Sequence, residues 1–82
     1  MIASPHRIGF DKVRKGMRGR VVSIGSSTVE ARRLQEMGFT EGTEFRVVKV
    51  APFGDPVEIS LRGYRLCLRK HETAHIEIEL IP

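Results

Sequence analysis

The strongest constraint on this chain is an alternation of large apolar and other residues that occurs three times in its second half. The apolar positions are Val57, Ile59 and Leu61, then Tyr64, Leu66 and Leu68, then Ile76, Ile78 and Leu80. A period of two is that of a β-strand with one buried face and one face in water. Only Arg62 and Gly63 separate the first two segments, which predicts a hairpin with a two-residue loop.

Two further strands are predicted upstream of these segments. Residues 20–24 and 43–51 are rich in β-branched side chains, which favour extended structure. In the second of them the apolar positions change phase between Val47 and Val48, and a β-bulge, one extra residue in one strand of a pair, would explain the change. The count therefore reaches about five strands.

One helix is predicted between these two strands, at about residues 28–37. Ser27 and Glu30 have the spacing of a capping box, in which each side chain accepts a hydrogen bond from a free backbone N–H. Strong helix formers follow, and Gly38 suits the left-handed conformation that ends many helices. Short helical turns are expected within residues 10–16 and 70–74, and residues 1–9 are expected to be loosely ordered.

The length and the strand pattern together limit the fold. A chain of 82 residues holds one domain. Short strands with bare edges tend to pair with other chains, and closing a bent sheet into a barrel removes those edges. We therefore predict a mainly β fold, a small SH3-like barrel of about five strands with the helix inserted after the first strand.

Composition excludes several classes of function. No segment approaches the roughly 20 apolar residues that cross a bilayer, and the N-terminus lacks the apolar core of a secretory signal. The single cysteine cannot form an internal disulfide, which suits a reducing compartment, so we expect a cytoplasmic protein. Phosphate-loop, Gly-x-Ser-x-Gly and His-Glu-x-x-His motifs are missing, so we expect no enzyme. A net charge of +4, interleaved with glutamate, suggests an acidic partner without naming one.

Three strings of residues resemble the ferrous iron transport protein A (FeoA) family. They are Leu-Gln-Glu-Met-Gly-Phe-Thr-Glu-Gly-Thr at 34–43, Ala-Pro-Phe-Gly-Asp-Pro-Val-Glu-Ile at 51–59, and Arg-Gly-Tyr-Arg-Leu-Cys-Leu-Arg-Lys at 62–70. The resemblance extends from about residue 16 to residue 79. It implies an SH3-like barrel in the bacterial cytosol that acts as an accessory of the ferrous iron permease FeoB, a membrane protein with a cytosolic GTPase domain. Cys67, His71 and His75 depart from the residues expected in that family.

A candidate partner-binding surface comprises the loop at 51–56 and the basic residues that follow it. Two prolines stiffen the loop, and a rigid loop that presents Phe53 loses little entropy on binding. Alternatively, Phe53 folds inward and closes one end of the barrel. The basic residues are either a partner site or simply the wet face of a hairpin. The candidate set is Pro52, Phe53, Asp55, Pro56, Arg62, Tyr64, Arg65, Arg69 and Lys70.

Two smaller groups are also candidates. Leu34, Met37 and Phe39 form a stripe that is mainly core, and any exposed remainder would be an apolar patch. His71, Glu72 and His75, with Cys67 four residues earlier, are potential ligands of a divalent metal ion if a helical turn places the histidines on one side. Otherwise, these histidines are solvated residues of a polar turn.

We expect a noncatalytic accessory protein that binds and regulates FeoB through its cytosolic GTPase-bearing part and needs no cofactor. Such a protein would be peripheral to the membrane through its partner, and pairing of open edges would allow homo-oligomers. Two alternatives remain: an SH3-like barrel that binds nucleic acid, although we expect no nucleic acid as partner, and a sensor or carrier of divalent metal ions.

Overall fold

The computed structural model describes residues 7–25 and 28–81. In these residues the strands are β1 (Arg7–Gly9), β2 (Arg18–Ile24), β3 (Glu44–Val50), β4 (Val57–Leu61), β5 (Tyr64–Leu68) and β6 (Ile76–Ile81). The α-helix is α1 (Val29–Glu36), and single 3-10 turns lie at Phe10–Lys12 and Lys70–Glu72. No helix in this part of the chain is long and apolar enough to cross a membrane.

The six strands form one antiparallel sheet in the order β1-β6-β2-β3-β4-β5. The predicted hairpin is confirmed: Leu61 pairs with Tyr64, and the two loop residues, Arg62 and Gly63, have φ of 50° and 85°. Positive φ at both positions belongs to the tight turn whose twist matches that of the flanking strands. The predicted bulge is also confirmed, because the register of β3 against β4 shifts between Val47 and Lys49.

The expectation of about five strands and a loose N-terminal segment was wrong for residues 7–9. Arg7–Gly9 form β1, and Ile8 pairs with Ile78 of β6. The helix therefore follows the second strand. Three residues are too few to show an alternation, so the pairing with β6, far along the chain, decides their conformation. Residues 1–6 of the predicted loose segment lie outside the described residues.

The helix begins one residue later than the capping box predicts. The Thr28 hydroxyl accepts a hydrogen bond from the Ala31 N–H at 3.2 Å, so Thr28 is the N-cap. The predicted cap, Ser27, lies outside the described residues. At the other end Gly38 has a φ of 97°, and the Phe39 N–H donates to the Leu34 carbonyl at 2.9 Å. This bond is that of a Schellman motif, which turns the chain back over the helix.

The core lies between the helix and the inner face of the sheet. Three aromatic rings from separate parts of the chain, Phe10, Phe39 and Phe45, pack with centroids 5.7 to 5.8 Å apart. Buried side chains of β2 to β6 join the same cluster. A sheet whose strands all contribute to one cluster must curl around it, and this curvature leaves the loops and the outer face of the hairpin exposed to solvent.

Candidate protein-binding surface

The loop at 51–56 presents an aromatic side chain to solvent. Phe53 is 95% exposed, so it does not close the barrel end. The loop is braced by its own backbone, since the Gly54 N–H donates to the Ala51 carbonyl at 2.7 Å and the Ala51 N–H donates to the Pro56 carbonyl at 3.1 Å. A single ring on a braced loop is suited to binding because little entropy remains to be lost.

Asp55 ties this loop to the carboxyl end of the hairpin. Its carboxylate accepts a hydrogen bond from the backbone N–H of Lys70 at 2.9 Å. The carboxylate of Glu72 accepts similarly from the backbone N–H of Arg69 at 2.8 Å. Both carboxylates are therefore occupied by backbone donors. Asp55 thus positions the loop, and the loop lies beside the cationic side chains of Arg69 and Lys70.

The outward face of the hairpin carries the predicted basic residues. Arg65, Cys67 and Arg69 are exposed, as the alternation predicts. The Arg65 guanidinium forms an ion pair with Glu58 of β4 at 3.1 Å, but its side chain is still 67% exposed. Across residues 7–25 and 28–81, no carboxylate pairs with the side chains of Arg69 and Lys70. This surface therefore keeps a positive charge that a partner can use.

Arg20, unlike Arg69 and Lys70, is a cation whose charge is balanced by ion pairs within the sheet. Its guanidinium bonds to Glu44 at 3.1 Å and to Glu79 at 2.7 Å, on the two strands that flank β2. The hydrogen bond to Glu44, followed by that to Glu79, raises the pKa of Arg20 above its ordinary value. The Arg20 side chain thus links β2 to its two neighbours, β3 and β6.

Tyr64 connects the hairpin to the helix. It is 40% exposed, and its hydroxyl donates a hydrogen bond to the Met37 carbonyl at the end of α1. Inward orientation was predicted for Tyr64, Leu66 and Leu68, but only Leu68 is fully buried. The hairpin extends beyond the core at its loop end, and Arg62 there reaches the Thr43 hydroxyl at 3.4 Å.

The stripe of Leu34, Met37 and Phe39 is mainly core, as predicted, and Leu34 and Phe39 contribute nothing to an exposed apolar patch. Leu34 and Phe39 are completely buried, and Met37 is half-buried against the core. The Schellman turn is the physical reason, because it folds Phe39 back into contact with Phe10 and Phe45. Along the described chain, the exposed large apolar side chains are Val29, Phe53 and Tyr64.

Comparison with known proteins identifies the family. The FeoA domain model matches residues 10–80, which is most of the chain. The chain belongs to the FeoA family.

Relatives of this FeoA domain include both single-domain and fused proteins. The Fe(2+) transport protein A/Fe(2+) transporter FeoB fusion protein of Porphyromonas gingivalis is 36% identical over 72 residues, which cover 88% of this chain. The chain spans only 8% of the length of that curated relative.

Solved structures share the fold. The NMR structure of a FeoA-like protein from Clostridium acetobutylicum is 34% identical with a TM-score of 0.84, and the match covers 98% of this chain and 92% of that one. The crystal structure of Stenotrophomonas maltophilia FeoA complexed with zinc, described as an SH3 domain protein, is 25% identical with a TM-score of 0.70 and covers 88% and 89%. The predicted SH3-like fold is confirmed.

The predicted metal ligands do not form a cluster in this FeoA domain. Lys70–Glu72 is a single 3-10 turn, so the spacing of four between His71 and His75 does not place them on one helical face. The Glu72 carboxylate bonds to a backbone N–H instead, and Cys67 is exposed on β5. Within the residues described, no three His, Cys, Asp or Glu side chains are placed to hold a metal ion together.

Lys49 of β3 is a cation close to the hairpin that the sequence pattern did not indicate. The bulge in β3 brings Lys49 opposite Glu58, which itself lies opposite Cys67. These three residues, with Ala51 and Pro56 at the base of the loop, line a shallow cavity of about 250 Å³. The phase change at Val47 was the available signal, but only the register shows which residues become neighbours.

Proposed function

We propose that this FeoA domain is a noncatalytic accessory module of ferrous iron uptake. It binds the cytosolic, GTPase-bearing part of the permease FeoB and regulates it, and it therefore acts in the cytoplasm. The Porphyromonas gingivalis relative carries transport protein A and FeoB in one polypeptide. Such a fusion supports joint action, because covalent linkage raises the effective concentration of one partner for the other.

The single observation that carries the proposal is the exposure of Phe53 on a braced loop next to the exposed cations of Arg69 and Lys70. A fully exposed phenylalanine gains about 1.5–3 kcal/mol when a partner buries it. That gain corresponds to about ten- to one hundredfold in affinity. Arg69 and Lys70, which follow β5 next to this loop, and Arg65 on the outward face of β5 would favour an acidic surface and accelerate the encounter.

Calorimetric titration of the full chain against the soluble part of the permease tests the proposal. We expect Phe53→Ala to weaken binding by about tenfold or more. Val29→Ala is the matched control, because Val29 is another exposed apolar side chain, 72% exposed, at the start of α1. Equal effects of the two substitutions, or no association of the wild type at high micromolar concentration, would contradict the proposal.

The basic residues need a separate variant. We expect Arg65→Glu to weaken binding and to reduce its dependence on salt, because it reverses a charge at the interface. Arg32→Glu makes the same change of charge on an exposed position of α1 and should have little effect. If both variants weaken binding equally, net charge rather than this surface determines the affinity.

A further inference from the structure

Among the strands of residues 7–25 and 28–81, none pairs with the outer edge of β5, and the hydrogen-bonding groups of that edge can be assigned from the register. Leu61 and Tyr64 close the two-residue loop and so exchange backbone hydrogen bonds. In an antiparallel pair this pattern alternates, so Leu66 and Leu68 also point their N–H and C=O groups towards β4. The N–H and C=O groups of Arg65 and Cys67 therefore point away from the sheet, where strand order ends.

The carboxyl end of this edge is already closed. Arg69 has extended backbone, and its N–H donates to the Glu72 carboxylate while its carbonyl accepts from the Glu72 N–H at 2.9 Å. The open stretch thus spans Arg65 to Cys67 and offers two donors and two acceptors. No backbone partner for them occurs in residues 7–25 or 28–81.

The charges beside the open edge of β5 indicate which kind of strand can pair with it. The nearby carboxylates of Asp55, Glu58 and Glu72 are all engaged, whereas the side chains of Arg65 and Arg69 remain largely in solvent. A second copy paired at this edge would bring arginines of both copies together, and like charges across strands are destabilising. An acidic segment would instead place its carboxylates opposite them.

We propose that the open edge of β5 takes up an extended acidic segment of a partner protein as an additional strand. This inference rests on the proposed function, since it names the binding mode at the same surface. Main-chain hydrogen bonds supply affinity in this mode, and alternate side chains supply specificity. The Asp55 bond to Lys70 places the Phe53 loop at the carboxyl end of the same strand.

The register specifies the partner's pattern. The partner residue opposite Arg65 shares its face and is acidic, and so is the residue just beyond the open stretch, which meets the Arg69 side chain without backbone pairing because Glu72 occupies the Arg69 N–H and C=O groups. The residue opposite Cys67 is uncharged, because Glu58 lies directly across from Cys67. The intervening residues point towards the inner face, where Leu66 is half-buried, and are apolar. The expected segment is therefore acidic, apolar, uncharged, apolar, acidic.

Amide exchange in the full chain tests the inference with a defined probe. The probe is the capped peptide Ser-Glu-Val-Thr-Val-Glu-Ser at millimolar concentration, and the control has lysine in place of both glutamates. We expect the acidic peptide to slow exchange of the Arg65 and Cys67 amides by about tenfold, because each amide gains a hydrogen bond. The lysine peptide should leave both amides unchanged.

A proline at the edge provides a test by substitution. Cys67→Pro removes an N–H that points outward, so it spares the ladder to β4, and Cys67→Ala keeps that N–H. We expect about tenfold weaker binding of the acidic peptide to Cys67→Pro and wild-type binding to Cys67→Ala. If the proline variant does not fold, the protection of the Arg65 and Cys67 amides in the wild-type chain decides whether the peptide pairs with β5.

Three outcomes would overturn the inference: no protection of these two amides, equal binding of the lysine peptide, or a dimer that Cys67→Pro abolishes. The same measurements with the soluble part of the permease distinguish a failure of this inference from a failure of the proposed function. Binding of the permease without protection of the two amides refutes the edge and leaves the proposed function standing. Binding of the acidic peptide at the edge without any binding of the permease supports the edge and refutes the proposed function.

Discussion

The contact between the hairpin and the end of α1 allows a quantitative test of the packing. Gly38 has a φ of 97°, and a Cβ atom built on it would overlap the Tyr64 hydroxyl. That hydroxyl donates to the Met37 carbonyl. In Gly38→Ala the tyrosine must move away, so the variant carries a backbone cost and also loses the hydrogen bond.

Each contribution has a known size. Alanine in the left-handed region costs about 1–2 kcal/mol, and one hydrogen bond contributes about 0.5–1.5 kcal/mol. We therefore expect Gly38→Ala to lower the free energy of unfolding by about 1.5–3.5 kcal/mol. Tyr64→Phe alone should lower it by about 0.5–1.5 kcal/mol. The double variant should match Gly38→Ala, because the hydrogen bond is already lost there.

Urea unfolding of the three variants measures this coupling, which should be about 0.5–1.5 kcal/mol. Gly42→Ala is the matched control: its φ is 88°, and a Cβ there would meet nothing within 4 Å. It should lose only the backbone contribution of about 1–2 kcal/mol. Additive single effects in the double variant, or equal destabilisation of Gly38→Ala and Gly42→Ala, would refute the contact between Gly38 and Tyr64 as the cause.

Three further predictions concern the helix cap, the core and the loop. Thr28→Ala removes the acceptor of the Ala31 N–H and should lower the free energy of unfolding by about 1 kcal/mol in urea titrations; an unchanged midpoint would place the cap elsewhere. Phe39→Ala empties a completely buried site and should cost about 3–5 kcal/mol, measured by thermal unfolding. Phe53→Ala should change stability by less than about 0.5 kcal/mol by the same method, because the ring is in solvent. A large loss for Phe53→Ala would mean that the ring packs against the protein.

Sequence patterns predicted those elements whose conformation depends on residues close by in the sequence. The hairpin loop follows from Arg62-Gly63 between two alternating segments, and the bulge follows from the phase change after Val47. The strand β1 was not predicted, because its extended conformation depends on pairing with β6, about seventy residues along the chain. The one-residue error at the helix start has a local origin, since adjacent serine and threonine residues can both cap a helix.

The surface was predictable in part. The outward direction of Arg65, Cys67 and Arg69 follows from the period of two, which is a property of the extended backbone. The direction of Phe53 did not follow, because a loop of prolines and glycine permits both an inward and an outward ring. The metal-ligand hypothesis relied on a helical spacing at 71–75 that the chain does not adopt.

The amino-acid sequence by itself determined the strand periods, the tight hairpin, the helix and the family, because these depend on residue types at short and regular spacing. Only the tertiary structure decided which carboxylates are occupied and which cations remain available. Asp55 meets the backbone of Lys70, and Glu58 meets Arg65, through the curvature of the sheet and the register of its strands. Those contacts cross from one strand or loop to another, and residue types at short spacing do not show which groups meet there.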